Sequence, residues 1–118
     1  MKQDNFNNGQ YFEELAASYL QHRGLRLLAR NYRKKFGEID LIMRDKEQLV
    51  FVEVKYRRRE DYGMALEQIG WRKQQRIIKA ANHYLMVHRL SVPCRFDVLA
   101  ISGSKSLRYN WIPNAFQA

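Results

Sequence analysis

From Asn8 to Gln21 apolar residues recur at helical spacing. Phe12, Leu15, Ala16, Tyr19 and Leu20 fall on one side, and Gly24 supplies a stop. Glu14 projects to the opposite, wet side, whereas Glu13 sits about 100° from Phe12, on the border of the apolar stripe. The period then shortens. Leu25–Tyr32 predicts a strand followed by the basic stretch Arg33-Lys34-Lys35. Gly37–Arg44 and Leu49–Tyr56 have strand composition and flank the polar turn Asp45-Lys46-Glu47-Gln48. Arg57–Gly63 reads as a charged loop with three successive arginines, Arg57, Arg58 and Arg59. A long helix starts at Ala65 or Trp71 and ends at His88, where Ser91-Val92-Pro93 breaks it. Cys94–Ser102 and Leu107–Ile112 predict two last strands. The order α-β-β-β-α-β-β implies an α/β domain, a central mixed sheet of about five strands flanked by helices.

The register of the central hairpin carries the chemistry. Closure through two or four loop residues makes opposed positions sum to one total, because either Asp45 faces Gln48 or Arg44 faces Leu49. Met43 then meets Val50, Leu41 meets Val52 and Ile39 meets Val54, an entirely apolar face. The other face pairs Ile42 with Phe51, Asp40 with Glu53 and Glu38 with Lys55. Directly opposed residues bring their Cβ atoms to about 4.5–5.5 Å. Two ionised carboxylates about 5 Å apart repel by roughly 3 kcal/mol at an effective dielectric of about 20. Ile42 and Phe51 imply that this face is covered too, so the pair calls for a proton, a cation or both. Lys55 supplies one positive charge, and a divalent ion such as Mg²⁺, which takes one or two carboxylates and keeps several waters, would supply the rest. The plain alternative is a solvated face on which Glu38 pairs with Lys55 while Asp40 and Glu53 splay into water.

Composition narrows the class. The 118 residues suffice for one domain with a modest core, residues 1–118. Twenty-one Lys and Arg against 12 Asp and Glu leave a net charge of +9, which favours a polyanionic partner, nucleic acid over a membrane surface. The single cysteine, Cys94, allows no internal disulfide and suits a reducing cytoplasm; it reads as an inert buried thiol. The first residues lack the apolar core of a signal peptide, and no apolar run approaches the roughly 20 residues a membrane span needs. Scattered glycines exclude a phosphate-cradling loop. His83 and His88 stand about 140° apart round a helix, which excludes a shared metal.

Gly37-Glu38-Ile39-Asp40-Leu41-Ile42 followed by Phe51-Val52-Glu53-Val54-Lys55 resembles the acid…acid-x-Lys core of restriction-endonuclease-like nucleases. Over nearly its whole length the chain is similar to the YraN-type family of small bacterial proteins, whose likeness to archaeal Holliday-junction resolvases is one of fold and core motif. Glu13-Glu14-Leu15-Ala16-Ala17, Asn31-Tyr32-Arg33, Lys73-Gln74-Gln75-Arg76 and Cys94-Arg95-Phe96-Asp97-Val98 carry the rest of the resemblance. It implies a single-domain restriction-endonuclease-like core and a homodimer as one arrangement. Asp40 would be the first metal-binding acid, Glu53 the second, and Glu13 the helix acid that completes the site. Lys55 would orient the attacking water or steady the phosphate. The chain departs from the common pattern at Ile39, where many such nucleases have proline, and at Phe12, where glycine often precedes the helix glutamate.

The expected activity is Mg²⁺- or Mn²⁺-dependent endonucleolytic hydrolysis of phosphodiester bonds in DNA, in preference to RNA. Structure-selective cutting is favoured because no sequence-reading motif is visible. The alternative is a non-catalytic nucleic-acid-binding protein that retains the nuclease-like fold. Lys55 has two available roles, an ammonium that stabilises transition-state charge and, if its pKa is depressed, a general base. Asp97 reads first as a partner for Arg95, and Glu38 as an ion-pair partner of Lys55 or a nearby arginine. On the long helix Arg72, Arg76, Lys79 and His83 lie within about 60° of one another, a basic stripe facing solvent. Together with Arg33, Lys34, Lys35, Arg57, Arg58, Arg59 and Lys73 they are the candidate phosphate contacts, giving affinity without sequence specificity. Tyr56, Tyr62 and Trp71 are available to stack on bases, with core or rim packing the plainer use.

Overall fold

The computed structural model of the chain describes residues 8–58 and 69–118. Its elements follow the predicted order: α1 (Asn8–His22), β1 (Arg26–Lys34), β2 (Gly37–Asp45), β3 (Gln48–Arg57), α2 (Trp71–Val87), β4 (Cys94–Ser102) and β5 (Arg108–Phe116). The strands form one five-stranded sheet in the order β1-β2-β3-β4-β5. All neighbours are antiparallel except β3 and β4, which run parallel from Leu49↔Cys94 to Arg57↔Ser102. A parallel pair needs a crossover, and the segment holding α2 provides it. The alternative helix start at Ala65 and the loop residues Arg59–Gly63 lie outside the described residues.

Each helix covers one face of the sheet. α1 packs on Leu41, Met43, Val50, Val52, Leu99 and Ile101, whereas α2 packs on Ile39, Ile42, Leu49, Phe51, Phe96 and Phe116. The buried positions of α1 are Phe12, Glu13, Ala16, Ala17 and Leu20. This stripe is rotated from the expected one, because small Ala17 faces the sheet while Leu15 and Tyr19 flank it half-buried. Glu13 therefore lies inside the buried stripe instead of on its border. α2 lies so close to the start of β2 that a Cβ at Gly37 would stand 1.9 Å from the Arg76 carbonyl oxygen. A glycine is required there for the close approach.

The hairpin register matches the prediction from Leu41↔Val52 through Met43↔Val50 to Asp45↔Gln48, with Lys46 in the left-handed region of the two-residue turn. Beyond Leu41 it does not. The ladder ends, and Ile39 belongs to the α2-side core with Ile42, not to the α1 side with Leu41 and Val54. Alternation thus slips at Asp40, and the expected pairs Ile39–Val54, Asp40–Glu53 and Glu38–Lys55 are absent from the ladder. Glu38 pairs with Arg33 of β1 instead, their side chains 3.9 Å apart.

β5 runs past the predicted end at Ile112 to Phe116, although Pro113 lies within it. It is an edge strand, where a missing N–H is tolerated. The register shifts between Phe96 and Val98 of β4, Asn114 adopts a φ of 55°, and its amide donates to Asp97 Oδ1 at 2.9 Å. A side chain thus takes a donor that the ladder loses.

Candidate active site

Three carboxylates from three elements line one cavity of about 220 Å³: Glu13 of α1, Asp40 of β2 and Glu53 of β3. Lys73 of α2 closes it on one side, and Phe12 and Tyr56 line it as well. The two rings stack at 3.7 Å, and the Tyr56 hydroxyl donates to the Gly103 carbonyl at 2.9 Å, so Tyr56 is used in packing. Phe12, the departure from the nuclease pattern, is half of that stack.

Asp40 is the centre of the group. It sits where β2 and β3 part, and its Oδ2 accepts the Val54 amide N–H at 2.8 Å in place of a ladder bond. On the other side, β1 pairs with β2 at Arg30↔Leu41 and Tyr32↔Ile39 but skips Asn31, whose φ is 50°. Partner pairing thus lapses on both flanks of Asp40, although β1 and β2 themselves run through.

Burial and like charge act together on the other two acids. Burial first, then the charge and hydrogen bond of Asp40, push the Glu53 carboxyl up to about 8, against the opposing pull of Lys73. The same causes in the same order push Glu13 up to about 7, opposed by a hydrogen bond from Asn31 and the charge of Arg33. These shifts follow when carboxylates share a poorly hydrated site. Lys73 Nζ stands 3.4 Å from Glu53 Oε2, whose side chain is 10% exposed. Among the described residues, no three His, Cys, Asp or Glu side chains are gathered as they stand into a set able to hold a metal. Asp40 spends an oxygen on Val54, and Glu53 leans on Lys73.

Lys55 is half-buried on β3 beside Ala100 of β4 and is not among the described residues lining the cavity. Lys73, expected among the phosphate contacts, brings an ammonium to the acids. Its signal was present in the sequence: Lys73 precedes buried Ile77 by four residues and so shares its sheet-facing side. Asn31 has no comparable sequence signal, because its conformation comes from the interrupted pairing.

The remaining candidates lie around the site in unequal ways. Arg33, Lys34 and Lys35 are exposed at the end of β1 and in the turn after it. Antiparallel pairing puts them at the same end of the β2–β3 hairpin as Arg57 and Arg58, while Arg59 is outside the described residues. Arg72, Arg76 and Lys79 are exposed on α2. His83 does not join them: its Nδ1 and the Tyr32 hydroxyl are 2.6 Å apart, and its ring packs on Phe36. The cause is the close seating of α2 on the β1–β2 turn. Trp71 is 70% exposed, which rules out the core use, and Tyr62 is outside the described residues.

Asp97 belongs elsewhere. It is fully buried and receives Arg95, the Trp111 indole N–H at 2.9 Å and the Asn114 amide. Arg95 also bonds Asp45 and Gln48. This network ties β4 to the hairpin turn and to β5. Cys94 is half-buried, donates to the Val92 carbonyl at 3.3 Å, and burial pushes its thiol up, away from thiolate chemistry.

Among the described residues no helix is long and apolar enough to cross a membrane. The model of the family described as "Uncharacterised protein family UPF0102" matches residues 12–101, which span all three acids and Lys73. The chain is 50% identical over 108 residues to a UPF0102 protein of Shewanella denitrificans, covering 92% of this chain and 97% of the relative. To one from Shewanella putrefaciens it is 52% identical over 108 residues, with the same coverage. To one from Nitrosomonas europaea it is 48% identical over 110 residues, covering 93% of each chain. Similarity of this extent, with the family model spanning both helices and the strands that carry the acids, means that the chain belongs to the UPF0102 family, which is the YraN family.

Proposed function

We propose that this chain is a metal-dependent nuclease that hydrolyses phosphodiester bonds in DNA. One observation carries the reading: Asp40 stands between Glu13 and Glu53 at the point where β2 and β3 part, and raises the proton affinity of both. Mutual repulsion in a buried cleft is unfavourable for stability, which is expected of a group arranged for binding a cation.

The donor set is chemically suited to Mg²⁺ or Mn²⁺, since all three side chains offer hard carboxylate oxygens. Asp40, Glu53 and Glu13 would hold the ion, and bound there it would lower the pKa of a water and neutralise charge on the phosphate. The chain's own groups do the rest. The Val54 amide fixes the Asp40 carboxylate, and the Phe12–Tyr56 stack keeps bulk water from one wall. Lys73, whose Nζ stands 3.4 Å from Glu53, would supply an ammonium for charge developing on the phosphoryl oxygens. Lys55 keeps the two roles open to it by resemblance. The basic groups at the Arg33 and Arg57 end hold the DNA backbone without reading bases, in line with selection by DNA structure.

The test is a cleavage screen of linear and branched DNA with Mg²⁺ or Mn²⁺, using wild type beside Asp40→Ala purified identically. Cleavage by wild type and its loss in Asp40→Ala, with DNA binding kept, is the expected result. Equal cleavage by both proteins would identify a contaminant and defeat the reading. A second reading, a DNA-binding protein without turnover, is favoured by Asp40 and Glu53 already having partners in Val54 and Lys73. Binding without cleavage under either metal would establish it.

A further inference from the structure

A second cavity, of about 330 Å³, is lined by Gly9, Gln10, Glu13, Asn31 and Arg33. It shares Gly9 and Glu13 with the acid cavity. The two cavities adjoin at these residues, with Lys73 lining the first and Arg33 the second. We propose that this second cavity is a phosphate subsite, seating the backbone phosphate of a DNA strand whose neighbouring phosphodiester lies at the acids. The proposal rests on the reading above in taking DNA as the substrate, but not on turnover.

Arg33 fits the role by its contacts. Its guanidinium is 64% exposed and 3.9 Å from Glu38, and its Nη2 donates to Asn31 Oδ1 at 3.3 Å. Both contacts are longer than the roughly 2.7–2.9 Å of a charge-assisted bond, so a phosphate that offers two oxygens at that distance displaces Glu38 with a gain. Arginine is suited to this because its planar fork matches two phosphate oxygens at once.

Asn31 links the subsite to the acids. Its side chain accepts from Arg33 and hydrogen-bonds Glu13 on the other side. It holds a φ of 50° in the middle of a strand, a left-handed conformation that asparagine adopts more readily than other residues with a Cβ. Asn31 is thus a positioning residue that registers Arg33 against Glu13.

The experiment is fluorescence anisotropy of a labelled single-stranded DNA oligonucleotide, titrated in EDTA so that no turnover occurs. Wild type is compared with Arg33→Ala, Arg33→Lys and Asn31→Gly over a salt series. Arg33→Ala is expected to weaken binding about 5- to 10-fold and to reduce the slope of log affinity against log salt by about 0.7, the share of one phosphate contact on a single strand. Arg33→Lys restores the slope. Asn31→Gly suits the backbone and keeps thermal stability, yet weakens binding several-fold. Unchanged affinity and slope in Arg33→Ala overturn the subsite, as does absence of DNA binding by wild type. An unchanged affinity in Asn31→Gly overturns the positioning role. Loss of the nuclease reading leaves these binding outcomes intact, so the two failures are distinguishable.

Discussion

Asp40 Oδ2 accepts the Val54 amide at 2.8 Å across the gap where β2 and β3 stop pairing. A backbone donor that would otherwise lack a ladder partner is satisfied by a side chain, and in return the carboxylate is fixed in place. That exchange explains how an acid is held between two others without collapse of the hairpin. It also lets Glu53 approach Asp40 and Lys73 together.

Stability should fall as pH rises in metal-free buffer. Glu13 and Glu53 have folded pKa values of about 7 and about 8, above the ordinary value of 4.5. The folded state therefore binds more protons, and the stability this contributes is full below pH 4.5 and lost as pH climbs through about 7 and 8. The loss is on the order of a few kcal/mol, below the face value of the two shifts because solvent screens Glu13. Thermal melts in EDTA at pH 5 and pH 9 measure it, and Asp40→Asn should flatten the profile.

Gly37→Ala should disturb the site from a distance. The added Cβ would meet the Arg76 carbonyl at 1.9 Å, a backbone atom that has to move. Overpacking of this kind costs about 1–3 kcal/mol. Displacement of α2 also carries Lys73 from Glu53. Urea denaturation reads the first effect and the pH dependence of the melt the second.

Asp97→Ala should separate stability from chemistry. Its carboxylate is fully buried under the Arg95 guanidinium, the Trp111 indole and the Asn114 amide. Removing one partner of a buried pair costs about 3–5 kcal/mol. At low temperature, where folded protein persists, cation affinity should match wild type within about 2-fold.

Much of this arrangement is visible in the residues themselves. The strand from Cys94 to Ser102 and the turn at Lys46-Glu47 follow from local composition, and the hairpin register from its apolar pairs. The Glu13, Asp40 and Glu53 set is legible from motif and spacing together. Three features are not, because each is a tertiary effect. Period-two alternation predicts Ile39 beside Leu41, and only the end of the ladder at Asp40 turns it to the other face. The reach of Lys73 to Glu53 depends on how closely α2 lies over Gly37, a distance that the spacing of Lys73 and Ile77 on α2 does not reveal. Pro113 reads as a stop, yet β5 continues because an edge strand tolerates it and Asp97 takes the Asn114 amide.

Asp40, Glu13 and Glu53 are proposed to bind a divalent cation together. Titration calorimetry of wild type and Asp40→Asn with Mn²⁺ at pH 9, above the raised values of Glu13 and Glu53, measures this directly. Wild type should bind Mn²⁺, and the substitution should weaken binding at least 10-fold while the fold is kept. Equal affinity in the two proteins, or no binding by wild type, would contradict it.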